Sequence, residues 1–549
     1  SLVPMLASKL LKNSGHTPRT GFINHLKSVG DRFFGGMDNA YRDLLRLVLR
    51  FRLLTILLSA SLLLGSVMLL PMIGSEFLPP SDEGEVRVTG KMEIGTRLDL
   101  VDQQTRKMEE IINRIATDMR SSVVSVGASG RNPNAASEGE VQISLAPLNS
   151  RTRSNVEIAA ELRRNLASKI PGMEVRTRAP QGQFLIERVL GGEEGITVEV
   201  RGFDLAVLNE LSRRVAEDIK DVPGIVDVLL TNDAGIPQQE LRIDRDRVAD
   251  MNLSVRDVTE VLETAVAGTR AGEFRTGGDS YRILVQLKDA EKRSVDEILD
   301  ITLSNDAGDQ VALRNVVEAE SGRGPILITR TDQQRLMRVQ ANVAGRDLGS
   351  VAKDVQARLD RIPQPANYNL VVAGAFEEQQ KAFGELMISL LLALALVYMV
   401  LACQYESLRD PFIVMFSVPL AAVGVFVTLF VTNTTFNVQS YIGCIMLGGI
   451  VVNNAILIVD QAARLERGGL LIHDALAEAG RRRLRPILMT TLTTILALVP
   501  LAMGIGEGAD AQAPLARTVV GGLAGSSLIT LLLIPALYSV FHRGGRKIA

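Results

Sequence analysis

Six apolar stretches restrict the folds open to this sequence more than any other feature. About 20 apolar residues suffice for a helix to cross the hydrocarbon of a bilayer. Five of the stretches reach that length, and the sixth is interrupted by glycines and Pro535. A buried helix of a soluble protein is the alternative for each stretch, but the clustering of five after residue 385 disfavours it. We therefore predict transmembrane helices at residues 51–74, 384–404, 411–432, 440–463, 485–505 and 515–541.

The basic residues around these stretches predict the topology, because Lys and Arg concentrate in cytoplasmic loops. The segments YRDLLRLVLRFR, ESLRD, GRRRLRP and HRGGRK carry them, whereas the connections TNTTFN and GIGEGADAQAP contain neither. We interpret residues 1–12 as the end of a preceding transmembrane helix and residues 13–50 as a cytoplasmic linker with an amphipathic helix. Residues 542–549 are then a cytoplasmic tail, and residues 75–383 lie on the opposite side of the membrane.

Composition disfavours several classes of function. The chain has a net charge of −2, with 22% charged and 46% hydrophobic residues, which is typical of a protein exposed to both water and lipid. That charge disfavours a nucleic-acid partner. Cys403 and Cys444 lie in apolar stretches, so we expect no disulfide framework. We find no catalytic nucleophile with its base, no zinc motif and no phosphate-binding loop, and therefore predict neither an enzyme nor a cofactor.

The outer segment alternates strands with helices. In its first unit, EVRVTGKMEI reads as a strand, RLDLVDQQTRKMEEIINRIATDM as an amphipathic helix and VVSVGAS as a second strand. Three similar units follow, and two joined units make a split βαβ, or ferredoxin-like, subdomain. We predict an α+β membrane protein with porter subdomains at residues 75–190 and at 191–237 with 325–375. An inserted docking subdomain occupies residues 238–324.

Several segments of the sequence resemble resistance-nodulation-division transporters of the hydrophobe/amphiphile efflux branch. These segments are SEFLPPSDEGEV, QYESLRDPFIVMFSVPLAAVG, GGIVVNNAILIVD and RRRLRPILMTTLTTILALVP. The resemblance covers essentially the whole chain and matches the carboxy-terminal half of a full-length member. It implies a proton-driven, homotrimeric multidrug exporter of the bacterial inner membrane. The partners implied are an amino-terminal half on the same or a separate chain, a periplasmic adaptor and an outer-membrane channel.

Polar residues within the apolar stretches are candidates for the proton pathway, because polar groups are costly in hydrocarbon. The resemblance implies that an arginine, a threonine and a lysine of this half act with two aspartates of the other half. The arginine and threonine match Arg483 and Thr490, which lie seven residues apart on one helix face. The lysine position holds Asn453, a neutral hydrogen-bond partner. Asn454 and Asp460 complete the candidate set, and Asp460 lies seven residues from Asn453.

Each of these five residues also has a purely structural interpretation. Amide side chains hydrogen-bond neighbouring helices in many membrane bundles, which is the structural interpretation of Asn453 and Asn454. In this interpretation, Asp460 marks the cytoplasmic end of its helix, and the long side chain of Arg483 extends to the same membrane surface. The hydroxyl of Thr490 then hydrogen-bonds a backbone carbonyl of its own helix.

The candidate substrate residues come from comparison with drug exporters of the same branch. Those exporters line the outer pocket with phenylalanines, where this chain has Ala128, Arg131 and other small or polar residues. Arg176 and Arg178 stand in a strand where aromatics are expected, and Phe184 follows nearby. We predict either a pocket for amphiphiles with an anionic group or, alternatively, solvated strand charges. Metal export is disfavoured, since the outer segment has no cluster with metal-ligand spacing and the chain has four His.

Two functions from different classes are open at this point. The first is proton-coupled export of small hydrophobic or amphiphilic compounds. The second is a membrane-anchored periplasmic module for assembly or protein export, in which the outer segment binds polypeptide. The ESLRDPF turn and the inserted subdomain favour the first function.

Overall fold

The computed structural model describes residues 22–93, 95–127, 137–167, 169–180, 195–230, 236–289, 293–305, 307–324, 328–506 and 508–542. The described residues form both helices and sheets, and several of the helices are apolar. This agrees with the predicted combination of α+β structure and apolar helices. The first three helices are α1 (Phe22–Arg50), α2 (Arg52–Val67) and α3 (Leu70–Ile73). One face of α1 is buried against the later helices, where the Tyr41 hydroxyl donates to the carbonyl of Leu531 at 2.7 Å.

The first sheet follows these helices and has four antiparallel strands. Its elements are β1 (Glu85–Met92), α4 (Leu98–Ile115), β2 (Met119–Val126), β3 (Glu138–Leu145), α5 (Asn155–Leu166) and β4 (Met173–Arg178). The strand order is β2-β3-β1-β4, the order of a split βαβ arrangement. Alternate residues of β1 are buried, with Val86 and Val88 fully inaccessible, because one face packs on α4 and α5. Ser154 begins α5 through a reciprocal capping box with Glu157.

A second sheet has the same arrangement, with an insertion between its halves. The elements in chain order are β5 (Ile196–Gly202), α6 (Leu205–Lys220), β6 (Ile225–Leu230), β7 (Ile236–Ile243), α7 (Arg245–Asp250), α8 (Val255–Val266), β8 (Thr269–Thr276), β9 (Asp279–Val285), α9 (Val295–Leu299), β10 (Thr302–Ser304), β11 (Gln310–Ala312), β12 (Val317–Gly324), β13 (Thr329–Thr331), β14 (Gln334–Val343), α10 (Leu348–Leu359) and β15 (Asn369–Gly374). The sheet order is β13-β14-β5-β15, with β6 also paired to β14. An ion pair of 3.1 Å between Arg163 of α5 and Asp227 of β6 links the two sheets.

The insertion begins and ends in the two-stranded ribbon of β7 and β12. A small core around Val248, Val258 and Leu313 holds α7, α8 and α9 together. The hairpin of β8 and β9 extends from it with nearly all of its side chains exposed. In the described residues of the insertion, three α-helices accompany the strands. Two of them are short, at six and five residues, which is too short for hydrophobic periodicity to reveal.

The last part of the chain is helical. Its helices are α11 (Ala375–Tyr405), α12 (Arg409–Met415), α13 (Ser417–Val431), α14 (Val438–Arg467), α15 (Ile472–Ala502) and α16 (Ala509–Phe541). Among the described residues, six helical segments are long and apolar enough to cross a membrane, judged by length and composition. Two of these segments combine two helices each, α2 with α3 and α12 with α13, and the other four are α11, α14, α15 and α16. Of the most apolar window of α16, 67% is buried, against 17% for α15. Helix α16 is therefore central to the bundle, and α15 lies at its surface.

The glycines of α16 form a packing surface within one continuous helix. The helix is continuous through Pro514 and Pro535. Gly424 of α13 lies so close to α16 that an added Cβ would stand 2.1 Å from the carbonyl oxygen of Gly521. Glycine at both positions therefore allows the two backbones to touch, as small residues do in membrane bundles.

Candidate functional site

A polar cluster joins the three helices α14, α15 and α16. The Nδ2 atom of Asn454 donates to Thr491 Oγ1 at 3.4 Å and to Ser527 Oγ at 3.5 Å. The two hydroxyls are themselves 3.2 Å apart. All three side chains are at least 93% buried, with exposures of 6%, 7% and 5%. Because the three side chains are almost completely buried, they satisfy one another's hydrogen bonds, and the cluster ties the three helices together.

The residues immediately before Asn454 and Thr491 face outward. Asn453 on α14 and Thr490 on α15 are both exposed. Successive helix positions differ by about 100° in direction, so each pair splits between the buried and the exposed side. The Thr490 hydroxyl donates to the carbonyls of Pro486 and Ile487 in its own helix. This outer face, which we call the 453/490 face, also exposes apolar side chains of α15, namely Met489, Leu492 and Leu496.

Arg483 lies two turns before Thr490 on the same stripe of α15. Its Nη2 donates to Oε1 of Gln461 on α14 at 3.1 Å. Its Nε is buried and has no hydrogen-bond partner among the described residues. Asp460 instead pairs with Arg464 one turn along its own helix, at 2.9 Å. The guanidinium of Arg483 therefore keeps unused donor capacity, whereas the carboxylate of Asp460 is already matched.

Of the five residues predicted for a proton pathway, no two are joined by a hydrogen bond or ion pair in the described part of the chain. Asn454 is buried in the cluster with Thr491 and Ser527. Asn453 and Thr490 are exposed on α14 and α15, whereas Arg483 is half-buried and donates from α15 to α14. The sequence predicted the helix faces from spacing but gave no reason to single out Thr491 or Ser527. Hydroxyl residues are common in apolar helices, and Thr491 and Ser527 differ from the others because they contact the buried amide of Asn454.

A second polar junction ties the helices to the second sheet. The hydroxyl of Thr435, between α13 and α14, donates to Oε2 of Glu76 at 2.8 Å. The backbone of Ser75 donates to the carboxylate of Asp347 at 2.9 Å, and the same carboxylate accepts from the backbone of Ser350 in α10. The chain after α3 is thereby held both to the loop before α14 and to the first turn of α10.

The two carboxyl groups of this junction have opposite pKa shifts. Burial raises the pKa of Glu76 above its ordinary value of 4.5, and the nearby negative charge of Asp347 raises it further, against the hydrogen bond from Thr435. Burial also raises the pKa of Asp347, but the hydrogen bonds from Ser75 and Ser350 lower it by more, so it lies below 3.8. A proton taken up here therefore resides on Glu76.

Of the candidate substrate residues, Ala128, Arg131 and Phe184 lie outside the described residues. Arg176 and Arg178 lie on β4, on the face opposite to the buried Thr177. The Arg176 guanidinium pairs with Glu174 at 2.9 Å on the same strand face. Its register partner on β1 is Thr89, and that of Arg178 is Arg87. The two arginines thus share a polar sheet face that also contains carboxylates.

Among the residues that the structure describes, no group of three or more His, Cys, Asp or Glu side chains is arranged to hold a metal ion. The two cysteines are unpaired.

The sequence matches the AcrB/AcrD/AcrF family over residues 1–542. It is 28% identical over 484 residues to the "Cobalt-zinc-cadmium resistance protein CzcA" of Cupriavidus metallidurans, covering 86% of this chain and 45% of that protein. It is 28% identical over 538 residues to "Protein HelA" of Legionella pneumophila, covering 95% and 51%. It is 26% identical over 553 residues to the "Swarming motility protein SwrC" of Bacillus subtilis, covering 100% and 50%.

A solved structure described as a heavy metal efflux pump is similar in fold. It superimposes with a TM-score of 0.79 at 28% identity, covering 92% of this chain and 53% of that one. The chain spans about half the length of the curated relatives it matches.

Proposed function

Because the chain belongs to the AcrB/AcrD/AcrF family of resistance-nodulation-division transporters, we propose that it is the carboxy-terminal half of a proton-driven exporter. In this proposal the transporter lies in the bacterial inner membrane, with both sheets and the inserted unit in the periplasm. It is a homotrimer that delivers cargo, through a periplasmic adaptor, to an outer-membrane channel.

The observation that carries this proposal is the 453/490 face. The Asn453 amide and the Thr490 hydroxyl are exposed on neighbouring helices, and the buried Nε of Arg483 has no hydrogen-bond partner among the described residues. The same helices carry exposed apolar side chains. Polar groups at membrane depth are tolerated where they face a protein partner or an aqueous cavity. The chain spans about half the length of its relatives, so an amino-terminal half would be of similar length. In this proposal, helices of that half supply the protein partner.

Within the complete transporter, Arg483 acts as the fixed cation of the proton pathway. A carboxylate from the other half that accepts from the free Nη hydrogens of this guanidinium is stabilised in its charged form. Asn453 stabilises the same carboxylate through its amide, without adding charge. When the carboxylate takes a proton from the periplasmic side, its bond to Arg483 weakens, and the helices are free to rearrange.

For the cargo, we propose hydrophobic or amphiphilic organic compounds, with the second candidate being heavy-metal cations. The first follows from the resemblance of the chain to the hydrophobe/amphiphile branch and from the polar sheet face of Arg176 and Arg178. The second is favoured by the names of CzcA and of the heavy metal efflux pump.

The test uses the complete transporter in a host that lacks its own exporters. Growth is measured against bile-salt-like anions, cationic dyes, Zn²⁺, Co²⁺ and Cd²⁺, with an Arg483→Ala variant at matched expression. We expect resistance to the organic compounds, lost in the variant. Resistance confined to the metal ions replaces the first cargo with the second, and the absence of resistance to every compound contradicts export.

A further inference from the structure

A cavity of about 460 Å³ lies where α11, α12 and α16 meet. It is lined by Tyr398 of α11, Leu408 and Arg409 at the start of α12, Phe412 of α12, and Phe541 at the end of α16. Three helices thus contribute to one cavity of ligand size. It is remote in sequence from the 453/490 face and belongs to none of the features used above.

Three side chains with apolar surfaces that line this cavity are exposed in the part of the chain that the structure describes. Leu408 is 70% exposed, Phe412 49% and Phe541 44%. The rings of Phe412 and Phe541 meet edge to face, with centroids 6.3 Å apart. The Tyr398 hydroxyl donates to the carbonyl of Leu408 at 3.0 Å, which fixes the loop between α11 and α12. The aromatic wall is therefore preformed, and water is a poor occupant for it.

One cation stands on the rim. Among the described residues, no carboxylate pairs with the Arg409 guanidinium, and its side chain is exposed. The neighbouring Asp410 does not line the cavity; its Oδ1 lies 3.4 Å from Nε2 of His542, a contact that is an ion pair only when the imidazole is protonated. The ring of His542 in turn stacks on Tyr538, with centroids 4.0 Å apart. Arg409 is thus the charged side chain among the described residues that line the cavity.

We propose that this cavity binds an anionic phospholipid. The phosphate accepts hydrogen bonds from the Arg409 guanidinium, which presents paired donors suited to phosphate oxygens. An acyl chain lies against Phe412, Phe541 and Tyr398. A basic residue beside an apolar wall at the ends of membrane helices matches a lipid in both charge and polarity. Assignment to the cytoplasmic leaflet rests on the proposed topology, whereas the binding site itself does not.

The experiment measures lipid binding to the purified complete transporter by native mass spectrometry. Phosphatidylglycerol and phosphatidylcholine are titrated separately, with inorganic phosphate as a competitor. The variants are Arg409→Gln, Phe412→Ala and, as a matched control, Arg50→Gln, which removes an exposed arginine at the end of α1. Because these side chains are all exposed, the fold is retained, and the elution profile of the trimer checks it.

We expect wild type to prefer phosphatidylglycerol and to ignore inorganic phosphate. Arg409→Gln weakens phosphatidylglycerol binding about tenfold, equivalent to about 1.4 kcal/mol, and leaves phosphatidylcholine unchanged. Phe412→Ala weakens both lipids, and Arg50→Gln weakens neither. Equal phosphatidylglycerol affinity in Arg409→Gln and wild type overturns the proposal, as does competition by inorganic phosphate at the same site. Transport is not part of this readout, so failure here is distinct from failure of the proposed function.

Discussion

Asn454 of α14 donates a hydrogen bond to Thr491 of α15 across 3.4 Å inside the helical bundle, where both side chains are buried. The residues one position earlier on both helices, Asn453 and Thr490, are exposed. Two adjacent amides therefore have different tasks: the inner one holds this half together, and in our account the outer one meets the other half.

Substitution of the two amides should separate these tasks. Asn454→Leu removes both amide hydrogen bonds and should destabilise the bundle by about 1 kcal/mol, the usual size for polar contacts between membrane helices. Asn453→Leu should leave the unfolding temperature of the complete transporter unchanged and reduce export. The measurements are thermal unfolding in detergent and drug susceptibility. A loss of stability in Asn453→Leu equal to that in Asn454→Leu contradicts the assignment.

Arg483→Ala should abolish export by the complete transporter and leave its trimer intact. Removing the guanidinium leaves a partner carboxylate in the membrane without a cation and favours its neutral form. Arg482→Ala is the control, because Arg482 is 54% exposed and pairs with Glu478. Susceptibility assays at matched expression decide the matter, and full resistance in Arg483→Ala rules out the proposed role.

Asn453→Lys should be tolerated better than Asn453→Leu. Lysine offers hydrogen-bond donors and a positive charge to a carboxylate, whereas leucine offers neither. The comparison is export of one dye at matched expression. If the leucine variant exports as well as the lysine variant, Asn453 does not contact the proton pathway.

The junction at Glu76 predicts a pH-dependent stability. The folded protein binds the Glu76 proton more tightly than the unfolded chain does, so this group stabilises the fold below pH 4.5 and loses that effect as pH rises through the raised pKa. Glu76→Gln should therefore raise the unfolding temperature at pH 7 and have little effect at pH 4. The glutamine retains an acceptor for Thr435.

Asp347→Asn is the matched comparison and should act in the opposite direction. The pKa of Asp347 is lowered, so its stabilising effect is present above pH 3.8 and is lost as pH falls through the lowered value. The asparagine variant should be less stable than wild type at pH 7, with a smaller difference at pH 3. If both variants shift stability in the same direction at pH 7, the two carboxyl groups do not have opposite pKa shifts.

The polar sheet face predicts a cargo preference. The double variant Arg176→Gln, Arg178→Gln should lose export of bile-salt-like anions relative to cationic dyes, because two guanidinium groups no longer attract carboxylates or sulfates. Glu174→Gln, which frees Arg176 from its partner, should shift the preference toward anions. If wild type and both variants rank the two classes alike, these residues are solvated strand charges.

Much of the fold could be read from sequence because its signals are local. Alternating residues such as Val86 and Val88 mark β1, and hydropathy marks the long apolar helices. Helix ends were harder to place: α15 begins at Ile472, well before its apolar stretch, because a helix continues wherever its backbone is supported and does not stop where hydropathy falls.

The candidate site was less accessible to sequence reasoning. Spacing assigns Asn453 and Asn454 to different faces, but which face is buried depends on helices that are distant in the chain. Ser527 lies 73 residues from Asn454 and contacts it only because glycines let α16 approach its neighbours closely. The pairing of Arg176 with Glu174 likewise depends on side-chain positions that strand alternation alone does not specify.

The central claim is that this chain exports only together with an amino-terminal half that covers the 453/490 face. The most direct measurement is efflux of an amphiphilic dye from liposomes with an imposed pH gradient. The chain is reconstituted alone and with its other half, after folding and insertion are verified in both preparations. We predict gradient-dependent efflux from the complete transporter and none from the chain alone. Efflux by the chain alone, or efflux by the complete transporter that ignores the gradient, would contradict the account.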